Sequence, residues 1–71
     1  MLPMLAKLSE MLGFLAEDGG WHTVGEVAEA VGVSLEEAEK LLRSLSELGF
    51  IQFDGEGRVR IDPELRRLLT F

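Results

Sequence analysis

The side chains of this chain that can do chemistry are few and unevenly placed. There is one histidine, His22, and no cysteine. A zinc-type site needs three or four ligands, so a lone imidazole with no second histidine and no thiolate predicts a structural or exposed residue. No serine or threonine sits in a motif that implies a base partner, so no nucleophilic constellation is expected. Gly55-Glu56-Gly57 lacks the lysine and the following helix of a phosphate loop and reads as a turn. These absences predict no metal site, no cofactor and no enzyme. What remains is charge. Glu36, Glu37, Glu39, Lys40, Arg43 and Ser44 crowd one segment, Arg58 and Arg60 alternate along another, and Arg66 and Arg67 lie near the end.

The net charge is −6, and its distribution carries more than its total. Residues 1–39 hold Lys7 against eight acidic side chains, whereas residues 40–71 hold six basic and five acidic ones. Trp21 is expected to anchor a core or an edge rather than to stack. The lack of cysteine excludes a disulfide framework and fits a reducing cytoplasm. Asparagine is absent, Gln52 is the single glutamine, and glutamate and arginine are abundant, which points to a heat-loving source. Lys7, Ser9 and Glu10 interrupt the leucine-rich start, and no apolar run approaches the ~20 residues that cross a bilayer. Met1 to Ala6 carries none of the basic residues of a secretory signal. The expectation is a cytoplasmic protein with no membrane segment. Its 71 residues suit one domain, 1–71, with one modest core.

These charges need elements to hold them. A first helix is predicted from Pro3 to Glu17, with Leu5, Leu8, Leu12 and Leu15 inward and Met1, Met4, Met11 and Phe14 widening the stripe. Asp18-Gly19-Gly20 turns the chain, and Trp21-His22-Thr23 is a minimal strand. Thr23-Val24-Gly25-Glu26 is a capping box that opens a second helix, with Val24, Val27, Ala28 and Val31 inward and Gly32 as its stop. Ser34-Leu35-Glu36-Glu37 is a second capping box. It opens a third helix with Leu35, Ala38, Leu41, Leu42, Leu45 and Leu48 inward and Gly49 as a left-handed stop, beyond which Phe50 packs on Leu45. Two capped helices joined by a short glycine-containing turn make a helix-turn-helix. A hairpin follows. A three-residue loop at Gly55-Glu56-Gly57 pairs Phe53 with Val59 and Ile51 with Ile61, and sets Asp54 opposite Arg58 and Gln52 opposite Arg60. Asp62-Pro63 then caps a short helix to Thr70, with Leu65, Leu68 and Leu69 inward and Arg66 and Arg67 outward.

This order, and the stretch Val27 to Ile51 above all, resembles the winged helix-turn-helix superfamily, of the small prokaryotic or archaeal transcription-regulator type. The telling residues are Val-Ala-Glu-Ala-Val-Gly-Val-Ser, then Leu-Leu-Arg-Ser-Leu after Lys40, then Leu48-Gly49-Phe50-Ile51 leading into the wing. The resemblance implies an α+β, mainly α fold: helix, strand, helix, helix, strand, wing, strand, with a short C-terminal helix. It also implies double-stranded DNA as partner, with the third helix in the major groove. By position, Lys40, Arg43 and Ser44 would meet the duplex from that helix, and Arg58 and Arg60 from the wing. Family members usually carry Ser, Thr, Arg or Lys at the early positions, where this chain has Glu36, Glu37 and Glu39. Those glutamates also suit the positive end of the helix dipole. Glu36–Lys40 and Glu39–Arg43 are spaced as helix-surface ion pairs. The surplus apolar stripe on the first helix, Met4, Leu8, Met11 and Leu15, predicts a homodimer. The alternative is a winged helix that binds protein within a larger assembly.

Overall fold

The computed structural model describes residues 3–69, with side chains from Leu5 onward. Among these, four helices and one three-stranded antiparallel sheet follow in the order α1 (Pro3–Asp18), β1 (His22–Thr23), α2 (Val24–Val31), α3 (Leu35–Glu47), β2 (Ile51–Phe53), β3 (Arg58–Ile61) and α4 (Pro63–Leu69). This is the expected winged helix. The predicted end of the last helix at Thr70 lies outside the described residues.

Local sequence builds most of these boundaries. The Thr23 hydroxyl accepts from the Glu26 N–H at 3.0 Å while the Glu26 carboxylate accepts from the Thr23 N–H at 3.1 Å, so the first capping box is complete. At Ser34 only the hydroxyl arm is made, accepting from the Glu37 N–H at 3.1 Å. Gly49 has φ +80°, a left-handed conformation that side chains with a Cβ resist. There the Phe50 N–H donates to the Leu45 carbonyl and the Gly49 N–H to that of Ser46, the paired bonds of a Schellman stop.

The sheet has the order β1-β3-β2. Its register is the predicted one: Ile51 opposite Ile61, Gln52 opposite Arg60 and Phe53 opposite Val59. Gly57, at φ +82°, closes the three-residue loop. The minimal strand is real, with His22 opposite Val59 and Thr23 opposite Arg58.

Every element except β1 and α4 contributes to the buried core. Met11 and Leu15 from α1 meet Val27, Ala28 and Val31 from α2, Ala38, Leu41, Leu42 and Leu45 from α3, and Ile51, Val59 and Ile61 from the sheet. Met11 and Leu15 are fully buried, so they cannot form the expected dimer surface. The reason is rotational. The inward stripe of α1 runs through Leu8, Met11, Leu12 and Leu15, which leaves Leu5 63% exposed. Leu8 is half-buried against the core, and the side chain of Met4 lies outside the described set.

The ends of the other helices differ from expectation in the same way. Leu35 and Leu48 sit beyond the reach of the core and are exposed. On α4 only Leu65 packs inward, while Leu68 and Leu69 are exposed and Arg66 turns in instead. Its guanidinium donates to the carbonyls of Ala16 and Glu17, at 2.8 and 3.2 Å, at the negative end of α1. A Cβ at Gly19, where φ is +68°, would stand 2.8 Å from the Arg66 Cδ, so any larger residue there is strained and must displace that side chain.

His22 closes the junction of α1, β1 and α2. Its Nε2 lies 3.0 Å from an Asp18 carboxylate oxygen and its Nδ1 lies 3.3 Å from one of Glu26. The ring also leans on Phe14, with centroids 5.0 Å apart. The hydrogen bond to Asp18 raises the imidazole above its ordinary 6.5, against the opposing effect of burial, and the bond to Glu26 adds to the rise. Asp18 is lowered by its bond to His22 and by the Gly20 N–H. Glu26 is lowered by the Thr23 N–H and then by His22.

Two outcomes are expected from this packing. Met11→Ala should cost about 2–5 kcal/mol of unfolding free energy, whereas Leu5→Ala should stay within about 0.5 kcal/mol, both read by urea denaturation. The His22 contribution is full below pH 6.5 and is lost as pH rises through the raised folded value. The carboxylate contributions are lost as pH falls below the ordinary 3.8 and 4.5 of Asp18 and Glu26. The melting temperature should therefore decline on going from pH 6 to pH 9 (roughly the span of imidazole titration), and His22→Gln should flatten that decline.

Candidate nucleic-acid interface

Two capped helices and their turn present one face of α3 to solvent. Ala38, Leu41, Leu42 and Leu45 are buried on its inner side. Helical periodicity then leaves Glu36, Glu37, Glu39, Lys40, Arg43 and Ser44 exposed on the outer side. The Ser44 hydroxyl donates back to the Lys40 carbonyl at 3.3 Å. The expected ion pairs Glu36–Lys40 and Glu39–Arg43 are not formed. Both lysine and arginine extend from the helix with neither a hydrogen bond nor an ion pair.

The other cations are engaged elsewhere. Lys7 donates to the Val31 carbonyl at the end of α2, 2.8 Å away, and pairs with Glu10 at 3.2 Å. Arg66 serves the end of α1, and Arg67 pairs with Glu64 within α4. Arg58 is held by Asp54 and Glu56, as its place opposite Asp54 predicted. Burial by itself would raise the Asp54 carboxyl. The N–H groups of Glu56 and Arg58, followed by the Arg58 guanidinium, outweigh it and hold the group low. Asp54 thus ties the wing loop together from inside while leaving Arg58 about half exposed.

Arg60 departs from its expected place on the duplex. It donates to the Gln52 carbonyl oxygen, its predicted cross-strand neighbour, at 2.9 Å and lies 4.7 Å from the Trp21 ring centroid. Trp21, 40% exposed, is therefore a stacking partner and not a core anchor. Arg60 also lines a depression with Asp18, Gly19, Arg66 and Arg67, apart from the outer face of α3. The reason is the strand period. Arg58 and Arg60 share one face of β3, but Arg58 sits beside the loop and Arg60 sits one repeat further along, beside Trp21.

What does face α3 is the wing tip. Glu39 and Arg43 line an open cleft with Glu56 and Gly57, floored by Leu35 and Phe53. The Val24 N–H donates to the Gly57 carbonyl at 3.3 Å, which fastens the loop to the start of α2. Leu35 and Phe53 are 54% and 42% exposed there. The apolar stripe of α3 predicts Leu35 in the core. Its position in the first turn, past the end of the packed region, puts it in the cleft instead.

Among the described residues no three His, Asp or Glu side chains converge as a metal site. None of the described helices is long and apolar enough to cross a membrane. The arrangement offers binding: a protruding helix with two uncommitted cations, a wing beside it and a cleft between. No curated protein matches the chain. The family model of the IclR helix-turn-helix domain matches residues 4–55, from the first helix to the wing loop. With most of its length matched, on the helix-turn-helix and wing described above, this chain belongs to the IclR helix-turn-helix domain family, a family of DNA-binding and not enzymatic modules.

Proposed function

We propose that the chain is a cytoplasmic transcription-regulator module that lays α3 in the major groove of double-stranded DNA, with Lys40, Arg43 and Ser44 on the duplex and the wing tip beside the backbone. The observation that carries this is the state of the cations. Among the lysine and arginine side chains of the described residues, only those of Lys40 and Arg43 have no hydrogen-bond or ion-pair partner, and both stand on the outer face of α3. A lysine or arginine held in no internal bond breaks none when it meets a phosphate or a guanine edge. Arg58 can add a backbone contact from the wing because half of it stays exposed. Arg60 is left out of this role by its stack on Trp21.

The magnitude expected is modest. Two neutralised phosphates per copy give a fall in affinity of roughly tenfold between 50 and 200 mM salt, and four give roughly a hundredfold. A homodimer therefore changes a weak contact into a useful one. The surface that supports it is not Met11 and Leu15 but the groove lined by Leu5, Leu8, Leu12, Leu45, Leu48 and Phe50, between α1 and the end of α3. Leu5 and Leu48 are 63% and 62% exposed there, a costly arrangement for a lone monomer.

Fluorescence anisotropy on duplex DNA tests the reading. Binding at low salt should weaken steeply as salt rises, and Lys40→Ala and Arg43→Ala should each reduce both affinity and the salt slope. Arg60→Ala should leave affinity within about twofold, well under the tenfold that 1.4 kcal/mol represents. No binding at tens of micromolar protein in low salt would discard the DNA role and favour a protein partner. Sedimentation should find a dimer that Leu5→Asp or Leu48→Asp dissociates, and a monomer at high concentration would remove the dimer alone.

A further inference from the structure

Resting on that reading, we infer that Glu39 and Arg43 together read a C·G base pair, Arg43 from the guanine edge and Glu39 from the cytosine amino group. The two side chains lie one helical turn apart on α3 and line the same cleft beside the wing tip. They are spaced to pair with each other and do not, so both are uncommitted. Arginine meets the O6 and N7 acceptors of guanine with two parallel bonds. A carboxylate is repelled by every phosphate and has only acceptor atoms to offer. In the major groove its partners are limited to amino groups, and the cytosine N4 amino group is the one carboxylates match.

A C·G pair presents both partners on one step of the duplex, and a T·A pair presents neither in the same arrangement. Glu39 and Arg43 share the cleft with Glu56 and Gly57 of the wing loop, so both lie on the side of α3 that faces the wing. Glu36 and Glu37 lie outside the cleft lining and face the helix start, where the dipole already favours them. Glu39 is thus an element of selectivity and not only a surface charge. It lowers affinity for any duplex that lacks an amino group at its position.

The experiment is selection from a randomised duplex pool at low salt, using the full chain, the Arg43→Ala variant and that variant with Glu39→Gln added. Wild type should enrich a C·G position, and replacing that pair with T·A should weaken binding about tenfold or more, the scale of one good base contact. In the Arg43→Ala background, where the guanine is no longer held, adding Glu39→Gln should move the preference from cytosine toward adenine, whose N6 and N7 suit an amide. Exchanging the guanine for 7-deazaguanine, which lacks the N7 acceptor, should weaken wild type and leave Arg43→Ala unchanged. Circular dichroism should show both exposed-site variants folded. If wild type binds DNA but adding Glu39→Gln to Arg43→Ala leaves the selected sequences the same, this inference is overturned and the DNA role stands. If wild type retains no duplex at all, both are overturned.

Discussion

The burial of Met11 and Leu15 beneath α2, α3 and β3 is the contact on which the rest of this domain depends. A chain of 71 residues buries only about 60% of the surface its unfolded form exposes, so it has one core and no reserve. Each fully buried aliphatic side chain contributes about 1.5–3 kcal/mol relative to an exposed one. The most deeply buried large side chains, Met11, Leu15, Val27, Leu42, Val59 and Ile61, come from three helices and the sheet. The orientation of α3 relative to the wing follows from that shared core. If α1 were to rotate, α3 and the sheet would lose their common seat, and the cleft between them would lose its shape.

Electrostatics then decides what the surface can do. Neither α1 nor α2 has a basic residue in its last turn. Their negative ends are served instead by distant cations, Arg66 from α4 for one and Lys7 from α1 for the other. The wing takes Arg58 into its own loop, and the sheet edge takes Arg60 onto Trp21. An acidic protein with seven basic side chains is left with two that have no internal task. Both lie on the face of α3 that the fold turns outward. The site is therefore defined less by an accumulation of positive charge than by where charge is not already spoken for. Three glutamates beside these two cations keep nonspecific attraction small, which places the weight of recognition on matched contacts.

Periodicity and capping chemistry made the frame legible from the residues. Thr23 with Glu26, Ser34 with Glu37, and Gly49 before Phe50 marked the helix-turn-helix, because caps act within a few residues of themselves. The wing register was legible for a related reason. Only a three-residue loop keeps Ile51, Phe53, Val59 and Ile61 in matched pairs, and a slip of one would mix the faces. The spacing of Asp18, His22 and Glu26, four residues apart, was also visible, yet it crosses a helix end and a strand. No helical rule predicts that they converge.

The order of elements, their ends, and the family type carried by Val27 to Ile51 are thus readable from neighbouring residues alone. How far each apolar stripe reaches into the core, and which cations are consumed, emerges only when the elements pack together. Leu5, Leu35, Leu48, Leu68 and Leu69 all satisfy the helical period, but a small core cannot cover the ends of every helix, and they stay exposed. Arg60, Arg66 and Lys7 looked no different from Lys40 and Arg43 as letters. Their partners are a tryptophan, two carbonyls of α1 and a carbonyl of α2, reached only after folding. Local chemistry acts between neighbours and can be read along the chain, whereas the commitment of a long charged side chain depends on what the fold brings within about 3 Å of its tip.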